Sequence, residues 1–159
     1  MISVKGIIFT DFVNYKLPCM TIMTPVCKDF KCDRECGHPV CQNGELAASP
    51  TFTYTIDSIL SFYLNDSITK ALCFQGLEPF DTFNETLYFI QRFRAMSDDD
   101  IVIYTGYTED EIEQELKQLA KFSNIVVKFG RYIPNQVSHL DETLQVKLAS
   151  PNQYARRIS

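Results

Sequence analysis

Apolar residues recur along the chain in two alternating rhythms: short β-branched runs, and longer stretches with helical spacing. Gly6–Phe12 and Cys19–Met23 are runs of the first kind, separated by a loop containing Asn14 and Pro18, and they predict two strands. From Asp57, placed to cap a helix N-terminus, Ile59, Leu60, Phe62, Tyr63 and Leu64 predict a helix with these side chains inward, ending near Asn65. Ala71–Phe74 reads as a strand, Thr82–Met96 as a helix with Leu87, Ile90 and Phe93 on its apolar face, and Ile101–Thr105 as a strand again. Glu109–Phe122 predicts a third helix, with Ile112, Leu116, Leu119 and Ala120 on one side and an exposed Glu113–Lys117 ion pair on the other. Ile125–Phe129 closes the alternation as a strand, and Leu144–Leu148 reads as an edge strand in the tail.

Strands alternating with helices of this length imply βαβ units and a mainly parallel sheet, because parallel neighbours need a crossover and the helix supplies it. Right-handed crossovers curl such a sheet into a partial barrel or leave it open and doubly wound, and the pattern leaves both open. In either form ligands sit beyond the carboxyl ends of the strands. The loop from Thr24, the segment Gln75–Pro79 and the segment Tyr104–Tyr107 should therefore line one rim. Gly76 would let backbone approach a ligand closely, Glu78 would offer an acceptor for an ammonium group, and Pro79 would stiffen the turn. Glu78 reads equally well as an acid favouring a nearby helix N-terminus.

Thr24–Pro50 breaks the rhythm. Pro25, Gly37, Pro39, Asn43 and Gly44 disfavour regular structure there beyond a turn of helix, and a structureless stretch of that length marks a functional or disordered loop. Four of the six cysteines, Cys27, Cys32, Cys36 and Cys41, fall inside it. With 159 residues, 18.3 kDa and 45% apolar composition, the chain can build one core as a single domain, 1–159, without disulfide staples. The N-terminus lacks the features of a signal peptide, and no run approaches the roughly 20 apolar residues of a membrane helix. The expectation is a cytoplasmic protein with no membrane partner, in which clustered cysteines mean metal. A net charge of −5, a pI of about 5.0 and scattered basic residues leave no stripe to follow a phosphate backbone, so nucleic acid is not expected as a partner.

The clustered thiols read as an iron–sulfur site. A structural zinc module on Cys27, Cys32, Cys36 and Cys41, with His38 nearby, is the alternative, and gaps of four, three and four residues fit it poorly. Cys19 and Cys73 lie in apolar strands and read as small core hydrophobes. His38 and His139 read as surface or structural residues.

Six short segments in order resemble the radical S-adenosylmethionine (SAM) enzymes, and within them the small activating enzymes of anaerobic ribonucleoside-triphosphate reductase. They are Asp11–Asn14 with Cys19; Cys27, Phe30–Cys32 and Cys41–Asn43; Gly76–Pro79; Tyr104–Tyr107; Gly130–Ile133; and Ser150–Gln153. The resemblance spans most of the chain and implies the partial (β/α) barrel of radical SAM type. It implies a [4Fe–4S] cluster on Cys27, Cys32 and Cys41, and SAM held by Gly76, Leu77, Glu78 and Pro79 with Tyr104, Thr105 and Gly106 nearby. Three thiolates leave one iron open, whereas four make a closed electron carrier. The activity so implied is reductive cleavage of SAM to a 5′-deoxyadenosyl radical, which takes hydrogen from a glycine of a larger glycyl radical enzyme, foremost anaerobic ribonucleotide reductase. A flavodoxin or ferredoxin would supply the electron, and a different protein or peptide substrate is the variant of this reading.

The chain departs from that pattern in spacing. The superfamily's usual gaps are three and two residues; here four residues separate Cys27 from Cys32 and eight separate Cys32 from Cys41. Cys36 thus competes for the third position, and Gln42–Asn43 favour Cys41. Val40 stands where an aromatic residue commonly precedes the third cysteine, and Leu77 replaces the second glycine of the SAM motif.

Overall fold

The computed structural model describes residues 1–159. Ten strands and five α-helices follow in order as β1 (Ile2–Val4), β2 (Gly6–Asp11), β3 (Cys19–Thr24), α1 (Lys31–Cys36), α2 (Gly44–Ala48), β4 (Phe52–Tyr54), α3 (Ile56–Asn65), β5 (Ala71–Gly76), α4 (Phe83–Arg94), β6 (Asp100–Tyr104), α5 (Glu113–Leu119), β7 (Ile125–Phe129), β8 (His139–Asp141), β9 (Val146–Leu148) and β10 (Tyr154–Arg157). Short 3₁₀ turns at Pro79–Thr82 and Glu109–Ile112 lead into α4 and α5.

Six strands form one sheet in the order β10-β7-β6-β5-β3-β2. The four central strands are parallel, and β2 and β10 are antiparallel edges. Each crossover steps to the adjacent strand in the same direction, so the sheet has no point where its order reverses. Met20, Ile22, Leu72, Phe74, Ile101, Ile103, Ile125, Val127 and Phe129 meet Ile59, Leu60, Tyr63, Phe89, Ile90, Phe93 and Leu119 in one buried cluster. All three crossover helices therefore cover one face. A doubly wound sheet carries helices on both faces, and that alternative is excluded. The opposite face is covered by Tyr15 and by Leu144 and Leu148 of the tail, packed on Cys19, Ala71, Cys73, Val102, Val126 and Ala155. Both thiols of that layer are fully buried, as small hydrophobes are.

The helices differ from expectation where capping chemistry was misread. Helix α3 starts one residue before Asp57, because the Thr55 hydroxyl accepts the Ser58 N–H at 3.2 Å. Its buried stripe is Ile56, Ile59, Leu60 and Tyr63, so Phe62 and Leu64 point outward, 61% and 48% exposed. Phe62 instead covers Phe9 on the edge strand, with ring centroids 5.0 Å apart. Ala120 lies just past the end of α5 and is exposed, while Ile112 and Leu119 are buried. The Glu113–Lys117 pair is present at 2.6 Å.

Three further corrections concern short pieces. Thr24 ends β3, and the irregular stretch contains two helices, α1 and α2. Strands β1 and β4, each three residues long, pair with one another and were too short to show alternation. The Leu144–Leu148 segment contributes β9 to a separate hairpin with β8, and the edge of the main sheet is β10. No helix is long and apolar enough to cross a membrane.

Candidate functional site

At the carboxyl ends of β3, β5, β6 and β7 the chain leaves the sheet at Thr24, Gly76, Tyr104 and Phe129, and the loops that follow surround a cleft of about 360 Å³. Cys27, Cys32 and Cys41 lie on its wall; Cys36 is half-buried and is not among the lining residues. Gly76, Leu77, Glu78, Tyr104, Thr105 and Gly106 line it as well, while Pro79 is buried just behind. Val40 does not reach the cleft, whose aromatic walls are Tyr104, Tyr107 and Tyr132. His38 is exposed, with its ring on the Cys36 carbonyl at 3.0 Å, and neither it nor His139 lines the cleft.

The cysteine loop is shaped almost wholly by polar contacts. No residue from Pro25 to Pro50 is buried. Phe30 turns into the left-handed region to start α1, and Gly37, also left-handed at φ 74°, stops it. The Asp33 carboxylate accepts the backbone N–H groups of Val40 and Cys41, both at 2.7 Å. The loop is then tied to the body of the protein at several points. Lys28 N–H donates to Asp81 at 2.6 Å, and Glu78 N–H donates to the Val26 carbonyl at 2.9 Å. The Asn43 amide donates to the Gly76 carbonyl at 2.5 Å. Lys31 meets Glu111 at 3.0 Å and lies 4.4 Å from the Tyr107 ring centroid, and Arg131 bridges Glu35 at 3.0 Å and Glu111 at 2.5 Å. Beyond the cysteines, Lys5 holds the C-terminal carbonyls of α2 through Ala47 and Ser49 at 2.9 and 2.6 Å.

Burial pushes the Cys27 thiol up, with help from the charges of Glu78 and Asp81. Cys32 is pushed up to about 12, first by burial and then by neighbouring Cys41 and Asp33. Thiols so raised stay protonated until a bound metal displaces the proton. A single ion needs convergent donors, and no three His, Cys, Asp or Glu side chains converge on one point. Cys32 and Cys41 neighbour each other and Cys27 lines the same cleft, but a closed four-ligand site of the zinc kind is not formed.

Opposite the thiols, Glu78 is 7% exposed. Its carboxylate accepts from Thr105 Oγ1 at 2.7 Å, Gly106 N–H at 2.9 Å and Phe80 N–H at 3.1 Å. Burial lifts its carboxyl to about 7 even though those three donors oppose the shift. Two carboxylate oxygens accept about four hydrogen bonds, so room is left for one more donor from the cleft. Gly76 has φ 94°, and a Cβ there would stand 3.0 Å from Met23 and Leu46 side-chain atoms, so the close approach of strand and cysteine loop requires glycine.

Of the two buried charged residues that line the cleft, Glu78 and Lys128, the sequence pointed only to Glu78. Lys128 is 7% exposed and donates to the Gly130 carbonyl at 2.8 Å, with the Thr105 carbonyl at 3.5 Å and no carboxylate in contact. Burial lowers its ammonium to about 8, and the charge of Glu78 opposes that shift. The available signal was a lysine inside Ile125–Phe129, a run whose other members are all buried apolar residues.

Residues 24–154 match a protein family described as a 4Fe–4S single cluster domain. No curated protein and no solved structure matches the chain.

Proposed function

Since the chain belongs to the family of 4Fe–4S single cluster domains, we propose that it is a radical SAM enzyme whose cluster is held by Cys27, Cys32 and Cys41 with one iron open. The observation that carries this reading is the meeting of three thiols, Glu78 and Lys128 in one cleft at the carboxyl ends of the parallel strands, with Cys36 outside it. The unreversed strand order with all crossover helices on one face supports reading the sheet as the partial (β/α) barrel of that superfamily.

When bound, the cluster supplies one electron for breaking the sulfonium carbon–sulfur bond of SAM, the chemistry that leads in this superfamily to hydrogen abstraction. The chain's own residues bind and orient. Glu78 accepts the ammonium of the methionine end at its free lone pair, and Lys128 offers a remaining N–H to the carboxylate. Gly76 and Leu77 would offer backbone and an apolar side chain to the bound SAM, and Pro79 stiffens the turn that presents Glu78. Tyr104, Thr105 and Gly106 form the facing wall, with Thr105 and Gly106 fixing the Glu78 carboxylate. The hydrogen donor is a glycine of a larger glycyl radical enzyme, foremost anaerobic ribonucleotide reductase, and the electron comes from a flavodoxin or ferredoxin.

Anaerobic reconstitution with iron and sulfide, followed by EPR of the reduced protein with and without SAM, tests the reading. The expected result is a cluster signal that changes when SAM is added. A signal indifferent to SAM, or stoichiometric zinc in protein purified without oxygen, would overturn it.

A further inference from the structure

The eight residues between Cys32 and Cys41 are folded, and one side chain does the folding. Helix α1 holds Cys32 at the cleft in its first turn, leads the chain outward to Cys36 and ends at Gly37, whose N–H bonds the Arg34 carbonyl at 3.3 Å as the chain turns back. The returning strand is caught by Asp33, whose Oδ1 accepts the N–H groups of both Val40 and Cys41 at 2.7 Å and lies 3.8 Å from the Cys32 sulfur. Onward from Cys41, its sulfur accepts the Asn43 N–H at 3.4 Å, and the Asn43 side chain reaches Gly76 at the cleft. The excursion Arg34–Pro39 touches the body of the protein by an ion pair only through Glu35 and Arg131.

We propose that Asp33 is a positioning residue for the cluster, whose carboxylate returns Cys41 to the side of Cys32 and so does what a two-residue spacer would do by its brevity. This rests on the reading of Cys27, Cys32 and Cys41 as ligands. A long gap costs loop-closure entropy each time its ends are brought together. Two charge-assisted hydrogen bonds from one carboxylate to consecutive N–H groups offset that cost and fix the orientation of the second thiol. Because Asp33 is adjacent to Cys32 in the same helix, the orientation of one ligand is transmitted to the other through a rigid turn. Removing Arg34–Pro39 would join Asp33 to Val40 and leave two residues between the cysteines, a spacing that needs no staple.

The test is a cycle of four chains, wild type and Asp33→Ala, each with and without residues 34–39, plus full-length Asp33→Asn. Iron-free protein carrying Cys27→Ser and Cys36→Ser is titrated with phenylarsine oxide, which bridges two neighbouring thiols, and the parent chains are reconstituted for iron content. Asp33→Ala is expected to weaken phenylarsine oxide binding by about tenfold and to reduce iron loading in the full-length chain, through loss of both charge-assisted bonds. Asp33→Asn should fall between wild type and Asp33→Ala, since its carbonyl oxygen keeps two lone pairs for the same two N–H groups but not the charge. In the shortened chain Asp33→Ala should have no effect. Undiminished binding and iron in full-length Asp33→Ala, or an equal loss in the shortened chain, would overturn the inference. If the shortened chain does not fold, the contrast between Asp33→Ala and Asp33→Asn decides alone. Full iron loading in Cys41→Ala would instead strike the ligand reading itself, and the two failures are told apart by that variant.

Discussion

The four parallel strands bury nearly every apolar side chain they carry, whereas between Pro25 and Pro50 not one residue is buried. The first region is held by apolar area withdrawn from water, a force without direction that tolerates only shape. The second is held by a carboxylate, an amide and a few ion pairs, which are directional and compete with water. The difference suits the tasks. The sheet keeps Gly76, Glu78, Thr105 and Lys128 in place as a fixed floor, while the loop, on the function proposed, folds around the cluster and stays close to solvent. Local opening of such a loop costs far less than global unfolding.

The sharpest way to separate the regions is to damage the first. Phe89 is fully buried on α4 with its ring edge-on to Phe74, centroids 5.6 Å apart. Phe89→Ala should cost about 3–5 kcal/mol in denaturant unfolding, the usual range for an emptied aromatic site. If the thiols of the loop become more reactive only in step with global unfolding, the two regions are one cooperative unit and the contrast drawn above fails.

The same contrast explains how far the sequence could be read. Runs such as Ala71–Phe74 and Ile125–Phe129, and the stripe through Ile90 and Phe93, announce themselves because burial imposes a period on residue type. The helices covering one face followed from no local pattern, since the choice between one face and two is made by the direction of each crossover. At the site, cysteines, Gly76 and Glu78 stood out by composition and position. Asp33 did not, and Asn43 did so only as context for Cys41, because their work is done by hydrogen bonds to backbone atoms seven, eight and thirty-three residues away. Loop polar residues carry no periodicity to betray such partners. The ionic link through Arg131 and Glu111 was missed for the same reason: their meeting with Lys31 and Glu35 depends on how the strand ends converge.

Glu78 stands at the boundary between the two regions, and pH probes it from both sides. Burial raises its carboxyl from an ordinary 4.5 to about 7. The folded state then binds the proton more tightly than the unfolded one, so the contribution of Glu78 to stability is fully present below about pH 4.5 and is lost as pH rises through 7. That loss amounts to about 3 kcal/mol at 1.36 kcal/mol per pH unit, and Glu78→Gln should flatten the slope of unfolding free energy between pH 5 and 7. SAM affinity should move the opposite way. An ammonium is accepted by the carboxylate, so binding should tighten over the same interval as Glu78 ionises. Isothermal titration at pH 5.5 and 7.5 checks it, and an affinity that is flat or falls with pH removes Glu78 from the ammonium site.

The smallest effect on global stability, and the most pointed one for the loop, belongs to Arg131. Its guanidinium links Glu35 on α1 to Glu111 beside α5, and Lys31 shares the same Glu111 carboxylate. The Arg131 side chain is only 11% exposed, but its carboxylate partners are 59% and 30% exposed, and pairs open to water on that side contribute little to overall stability and are weakened by salt. Arg131→Ala should therefore leave the unfolding midpoint nearly unchanged, because no strand of the core loses a contact. What it removes is the tether of α1 to the strand ends. Amide hydrogen exchange of residues 28–36 should accelerate several-fold while β5 and β6 keep full protection, and high salt should reproduce the effect in the wild-type chain. Alkylation of Cys32 should accelerate with the same salt dependence, since its access to solvent is governed by that tether. If the loop amides stay protected in Arg131→Ala, the remaining ties suffice: the Asp33 staple, the Asn43 amide, the Lys28–Asp81 and Glu78–Val26 hydrogen bonds and the Lys31–Glu111 pair. If the core strands lose protection with them, the tether belongs to the fold as a whole and its polar contacts have a structural weight that surface ion pairs do not ordinarily carry.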